Sequence, residues 1–311
     1  MRELPATAIC GHEITPSCLP PREAPARPGA RLSVETSFGG TTGVGGASAL
    51  SAKRVAALYD IHANLPALEA VLREVRDTEA DFVMIGGDVV PGPMPRETVE
   101  LLSGLDTPTH FICGNGELAV LAQVGAPDPD AVTYWGTTSG EPLPEPQRMV
   151  LRWTAGALPA EQLVLLEGLP GTHELEVDGV GRVLFCHGTP RSEVECFTRL
   201  TPEDGLLEAF EGVTAALVVC GHTHMQFDRS IGRVRVVNAG SVGMPFGRTG
   251  ADWLLLGPGV ELRHTEFDLE AAATRVRATN YPEADDYATQ FVLSSPPESA
   301  MLEAFTHASF P

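Results

Sequence analysis

Leu217-Val218-Val219-Cys220-Gly221-His222-Thr223-His224 decides how the rest of the chain is read. A short apolar run that begins at Ala215 ends in Gly-His-Thr-His. The run has the length of a buried strand, and two histidines stand two residues apart just beyond it. On a continuing strand they would point the same way; in a turn at the strand end they can fan out. Gly221 lets the backbone approach whatever the imidazoles hold. Neutral imidazole is the commonest metal ligand and also a common polar core residue, so this motif alone leaves both readings open.

Its company narrows the choice. Asp60-Ile61-His62 follows the run Val55 to Tyr59, Gly87-Asp88 follows Phe82 to Ile85, Gly114-Asn115 follows His110 to Cys113, and His187 follows Val183 to Cys186. Each has a bland alternative when taken singly. His222 could be a core or surface histidine, Asp60 a helix-capping residue, and Asn115 part of a tight turn. Seven such residues past short apolar runs point instead to one shared site: Asp60, His62, Asp88, Asn115, His187, His222 and His224.

The segments between the runs have helical spacing. Asn64 caps a helix with Pro66 in its first turn, and Leu65, Leu68, Leu72 and Val75 form its apolar face. A second helix runs from Pro95 to about Ser103. This alternation predicts an α/β sandwich with largely parallel connections. Glu174 to Val177 with Val183 to Cys186, and Gln226 to Ile231 with Val234 to Val237, read as hairpins; a helix starts between them at Thr201. Trp253 to Leu256 and Val260 to Phe267 complete the sheets.

Residues 1–53 read as a disordered leader, rich in proline and then in Gly, Thr and Ser. Gly43 and Gly45 follow no strand, so they do not make a phosphate loop. Order is expected from Arg54, in a main domain over 54–267. A helical insertion over about 118–172 is expected to lie over the site, with helices at about Gln147 to Gly156 and Pro159 to Gly168. Tyr134, Trp135 and Trp153 within it are either an aromatic lid or packing residues. Residues 268–311 form a C-terminal helical extension, with helices at about Glu270 to Thr279 and Pro297 to His307.

The chain of 311 residues carries a formal net charge of −20. Such a surface repels polyphosphate backbones, which argues against binding long nucleic acid but not against a small anion drawn to local cations. No apolar run approaches the roughly 18 residues of a membrane span, and no secretory h-region opens the chain. Cys113, Cys186 and Cys220 end apolar runs and read as small buried strand residues; no cysteine spacing implies a disulfide framework. A reducing cytoplasm is the expected compartment, and a homo-oligomer is compatible with the sequence.

Four imidazoles, two carboxylates and one amide suit two divalent ions that share a carboxylate. Without a thiolate, the set favours Mn, Fe, Ni, Co or Zn over Cu(I) or an iron–sulfur cluster. Paired ions are a recurring device for phosphoester hydrolysis. His110, His173, His264 and His307 lack the glycine-turn context, and His12 lies in the leader; all five are read as structural or surface residues.

Asp60-x-His62, Gly87-Asp88, Gly114-Asn115-x-Glu117, His187 and Gly221-His222-x-His224 resemble the signature of the calcineurin-like metallophosphoesterase superfamily. The order and spacings match from about Arg54 to Phe267. His187 to Arg191 and Asn238 to Gly243 are similar to its small bacterial and archaeal phosphodiesterase branch, which includes the retromer scaffold subunit. The resemblance implies a four-layer αββα sandwich of two mixed β-sheets flanked by helices. It implies one ion on Asp60, His62, Asp88 and His224, and a second on Asp88, Asn115, His187 and His222. Manganese is the first choice of metal.

It also implies attack on a phosphoester by a hydroxide held between the ions, with Asp88, Asn115 and His187 at the reacting centre. One departure matters. Many relatives carry a histidine, thought to assist the leaving group, where this chain has Gly116. General-acid help is typically worth about 10²–10⁴-fold, so the expected substrate is a small phosphodiester such as a cyclic nucleotide. Phosphomonoester hydrolysis and a non-catalytic retromer-like scaffold are the alternatives. Glu117 is expected to be structural. Arg191 is the candidate contact for a substrate phosphate, with a surface salt bridge as its alternative.

Overall fold

The computed structural model describes residues 50–125, 128, 130, 132 and 143–307. Its eleven described strands form two sheets. Those of the first are β1 (Ser51–Ala52), β5 (Thr172–Val177), β6 (Gly181–Cys186), β7 (Leu217–Cys220), β8 (Phe227–Ile231) and β9 (Val234–Asn238), in the order β1-β5-β6-β7-β9-β8. Those of the second are β2 (Val55–Leu58), β3 (Phe82–Ile85), β4 (Thr109–Phe111), β10 (Ala251–Leu256) and β11 (Val260–Thr265), in the order β11-β10-β2-β3-β4. Both sheets mix parallel and antiparallel neighbours. The three strands β2, β3 and β4 run parallel, as do β6, β7 and β9.

The central strands are buried along their length, as parallel strands covered on both faces are. Their alternation assigns each residue to a layer. Val55 and Ala57 of β2, and Phe82 and Met84 of β3, face the other sheet; there they meet Val183 and Phe185 of β6 and Leu217 and Val219 of β7. Ala56, Leu58, Val83 and Ile85 face the opposite way, into helices α1 (Leu65–Asp77), α2 (Pro95–Ser103), α3 (Asn115–Gly125), α4 (Glu145–Ala157) and α5 (Ala160–Glu167). Tyr59 crosses between the sheets, its hydroxyl donating to the Val219 carbonyl at 3.1 Å. The result is the expected sandwich of two mixed sheets with flanking helices.

Three local readings differ from the structure. Ordered chain begins before Arg54: Ser51 and Ala52 pair in parallel with Glu176 and Val177, a strand too short to show any periodicity. Residues 1–49 lie outside the described residues. Gly114-Asn115-Gly116-Glu117 has the composition of a turn after the run His110 to Cys113, yet Asn115 to Glu117 form the first turn of α3. The helix expected from Thr201 is two short 3₁₀ turns, Glu203–Gly205 and Leu207–Phe210, whose Leu206, Ala209 and Phe210 cover the outer face of the first sheet. The buried residues of α4 and α5, including Leu151, Ala155, Leu158 and Leu166, join the same core as α1 and α2.

The C-terminal extension comprises α6 (Leu269–Arg277), α7 (Ala284–Tyr287) with a π turn at Ala288–Val292, and α8 (Glu298–His307). It packs against Leu65, Met94, Met225, Met244 and Phe246, next to the loops that leave β2 and β7. No described helix is long and apolar enough to cross a membrane.

Candidate metal centre

Five strands deliver the seven predicted ligands. Asp60 and His62 leave β2, Asp88 leaves β3, Asn115 follows β4, His187 follows β6, and His222 and His224 leave β7. The structure brings all seven together, none more than 7% exposed. Turning a chain sharply at a strand end calls for left-handed backbone, and Asp60, His62, Asp88, His222 and His224 all have positive φ, between 47° and 67°. Gly221 is needed for close approach, since a Cβ there would lie 2.5 Å from both Asp60 Oδ2 and the Tyr59 ring.

The ligands fall into two groups, Asp60 with His62 and His224, and Asp88 with His187 and His222. In the first, His62 Nε2 lies 3.1 Å from His224 Nε2, and His224 Nε2 lies 3.4 Å from Asp60 Oδ1. In the second, His187 Nε2 lies 3.4 Å from Asp88 Oδ1 and 3.1 Å from Asn115 Oδ1. Asp88 stands between the groups, its other oxygen 3.8 Å from His62 Nε2.

The surroundings orient these atoms. His187 Nδ1 is 2.9 Å from the Gly86 carbonyl and His224 Nδ1 is 2.9 Å from the Met244 carbonyl. A proton on each Nδ1 satisfies those bonds and leaves each Nε2 lone pair directed at the cluster, the usual arrangement behind a metal-bound imidazole. Asp60 Oδ2 accepts from the His222 amide at 2.9 Å.

The cluster fits divalent cations. Asp60 Oδ1 and both ring nitrogens of His222 are buried without a hydrogen-bond partner, a costly state for polar atoms that a cation relieves. Burial, and then the neighbouring His224, push the His62 pKa down to about 4; burial and then His187 push that of His222 down to about 3. Both are therefore neutral and ready to ligate. Burial also disfavours charge on His187, but the carboxylates of Asp88 and Asp60 outweigh it and raise its pKa to about 10. Burial would raise Asp88 and Asp60; the imidazoles facing them (His187 first for Asp88, His224 first for Asp60) hold both below the usual carboxylate range. Ligation through His187 Nε2 needs that nitrogen unprotonated, so binding an ion there would release a proton.

Glu117 holds the second group from behind. Fully buried, it accepts from the amides of Asp88 (2.9 Å), Gly114 (2.7 Å) and Val90 (3.2 Å). Its reach back to Gly114 from the first turn of α3 is half of a capping box, a sequence pattern that could have been read. Burial, then the Asp88 charge, raise its pKa to about 7. Asp88 completes the cap, because Oδ1 accepts from the Gly116 amide at 2.6 Å. A Cβ on Gly116 would fall 2.2 Å from the Val90 carbonyl and 2.9 Å from Asp88 Oδ1. The position where many relatives carry histidine is here committed to a backbone contact that excludes any side chain.

A model of the calcineurin-like phosphoesterase superfamily domain matches residues 54–256, the stretch that holds all seven ligands. The chain belongs to that superfamily. An uncharacterised protein of Methanocaldococcus jannaschii is 27% identical over 249 residues, covering 74% of this chain and 94% of the relative. Among solved structures, a hypothetical protein of Pyrococcus horikoshii shares the fold at a TM-score of 0.64, with 22% identity over 78% of this chain and 99% of that one. A metallophosphoesterase from Sphaerobacter thermophilus matches at 0.55, with 26% identity over 82% of this chain and 99% of that one. The calcineurin-like phosphoesterases are metal-dependent hydrolases of phosphoric esters, which agrees with the two clusters.

Other sequence candidates lie elsewhere. The Arg191 guanidinium is bonded to Glu195 at 2.8 and 2.9 Å and paired with Glu208 at 3.4 Å, the surface salt bridge weighed as its alternative. Trp153 packs edge-to-face on Tyr281 of the extension, with centroids 5.4 Å apart, as a packing residue does. His110 and His173 pack together beside Phe82, and His264 bonds to Asp252. Tyr134, Trp135, His12 and the side chain of His307 lie outside the described residues. Within the Asn238 to Gly243 motif, Ser241 Oγ donates to the Asp60 carbonyl at 2.7 Å, a role the motif alone does not assign; Phe246, which stacks on the His224 ring at 4.8 Å, carries no signal in the sequence.

Proposed function

We propose that this member of the superfamily is a two-metal phosphodiesterase acting on a small phosphodiester, such as a cyclic nucleotide, with manganese as its metal. The observation that carries the reading is the division of seven buried ligands into two groups with Asp88 between them. One ion would be held by Asp60, His62, Asp88 and His224, the other by Asp88, Asn115, His187 and His222. When bound, such ions lower the pKa of water toward about 7 and neutralise charge on phosphoryl oxygens.

The chain supplies the geometry. The Gly86 and Met244 carbonyls fix two imidazoles, and Glu117 fixes the backbone of both Asp88 and Gly114. Near-complete burial of the ligands favours a small substrate whose phosphoryl group alone reaches them. Gly116 supports the diester: with no imidazole there, leaving-group protonation falls to water, which suits substrates with good leaving groups. Arg191 would reach a substrate phosphate only by exchanging Glu195 for it. A scaffold role is disfavoured because no ligand has been lost.

The test is hydrolysis of a chromogenic aryl phosphodiester and of the matching monoester by chelator-stripped protein, with and without Mn²⁺. The expected result is Mn²⁺-restored diester turnover that His222→Ala abolishes. Dominant monoester turnover would refute the diesterase assignment, and no turnover with any of several divalent ions would favour the scaffold.

A further inference from the structure

We propose that the C-terminal extension is a working part of the metal centre: Tyr287 is a positioning residue that holds the His62 loop and thereby strengthens binding of the ion assigned to Asp60, His62 and His224. The inference rests on the two-metal reading above and extends it beyond the matched domain, which ends at residue 256.

The His62 loop needs holding. Asp60, His62 and Ala63 all have positive φ, a backbone that costs non-glycine residues free energy and persists only where surroundings over-determine it. Part of that constraint is local. The amides of His62 and Ala63 donate to the carbonyls of Asp88 and Val89 at 2.9 and 2.7 Å, and the Gly243 amide donates to the Asp60 carbonyl at 3.0 Å. The His62 carbonyl itself is bonded from the extension, where the Tyr287 hydroxyl, buried at 5% exposure, donates to it at 3.2 Å. The Tyr287 ring is fixed in turn between Tyr281 and Phe291, at centroid distances of 5.9 and 5.7 Å.

The same segment also grips the loop behind His224. Phe246 stacks on the His224 ring, with Phe305 of α8 at 6.4 Å on Phe246. Ser295 Oγ donates to the Pro245 carbonyl at 2.7 Å, and the Gly247 amide donates to the Pro296 carbonyl at 2.9 Å. Glu298 pairs with Arg199 on the chain that follows His187. Residues 281–305 thus bond directly to the loop of one ligand, His62, and pack on the loop behind a second, His224, whose ring is oriented by Met244 and Phe246.

The experiment is calorimetric titration of Mn²⁺ into the chelator-stripped full-length protein, as wild type, Tyr287→Phe and Arg275→Ala. Arg275 joins α6 to Glu69 of α1 at 2.6 and 2.9 Å and touches no ligand loop, so its loss controls for a loosened extension. Tyr287→Phe is expected to weaken one of the two binding events about fivefold, the ratio that one net hydrogen bond carries, while Arg275→Ala leaves both unchanged. Wild-type affinity in Tyr287→Phe, or equal weakening by both variants, would overturn the inference and leave the two-metal reading standing. A wild type that takes up no Mn²⁺ would overturn both.

Discussion

Five of the seven non-glycine residues with positive φ among the described residues are metal-ligand candidates. Glycine would take this backbone at no steric cost, but glycine has nothing to coordinate with, so the site accepts roughly 1–3 kcal/mol of strain at each such residue. That strain cannot be read from sequence. The clustering of these candidates can, because Asp, His and Asn stand where apolar runs stop. Gly116 shows the boundary of such reading: sequence shows that histidine is missing, and only structure shows why. Its amide holds Asp88, and a Cβ there would meet the Val90 carbonyl. Gly116→His should therefore not confer monoesterase activity. A displacement of about 1 Å at the reacting centre costs about 10²-fold, and kcat/KM on diester and monoester alike is expected to fall by about that factor. A rise in monoester turnover would show that the position has room after all.

Elements with a strong local pattern were legible. Asn64 and Pro66 announce α1, and the Asn64 side chain does accept from the Ala67 amide. It does something more that no local pattern shows, donating from Nδ2 to the Gly243 carbonyl at 2.8 Å. Asn64→Ala should cost about 1 kcal/mol or more through the cap alone. Asn64→Asp retains the cap acceptor but sets a carboxylate against a carbonyl, so urea denaturation should find it no more stable than Asn64→Ala. Wild-type stability in Asn64→Asp would mean that the Gly243 bond is unimportant. The α3 start was hidden because Gly114-Asn115-Gly116 has turn composition; what makes it helical is a cap supplied from Asp88, 28 residues away. The 3₁₀ turns after Thr201 were read as a helix because acidic residues in a first turn suit either.

At the scale of the molecule, the sandwich follows from alternation within strands of four residues, such as Val55-Ala56-Ala57-Leu58, whose odd and even members face different layers. How the extension docks was not legible, because its contacts join residues as far apart as Tyr287 and His62, 225 positions away in sequence. The extension, the two sheets and the helices meet around one cluster of buried carboxylates and imidazoles in a chain of net charge −20. Burying Asp60 and Asp88 together is costly unless cations accompany them, so metal removal should lower the melting temperature and Mn²⁺ should restore it. The most direct test is the number of Mn²⁺ ions bound by the chelator-stripped protein, counted by equilibrium dialysis with metal analysis. The account predicts two per chain, with fewer than two in His222→Ala. A single ion, or none, in the wild type would contradict it.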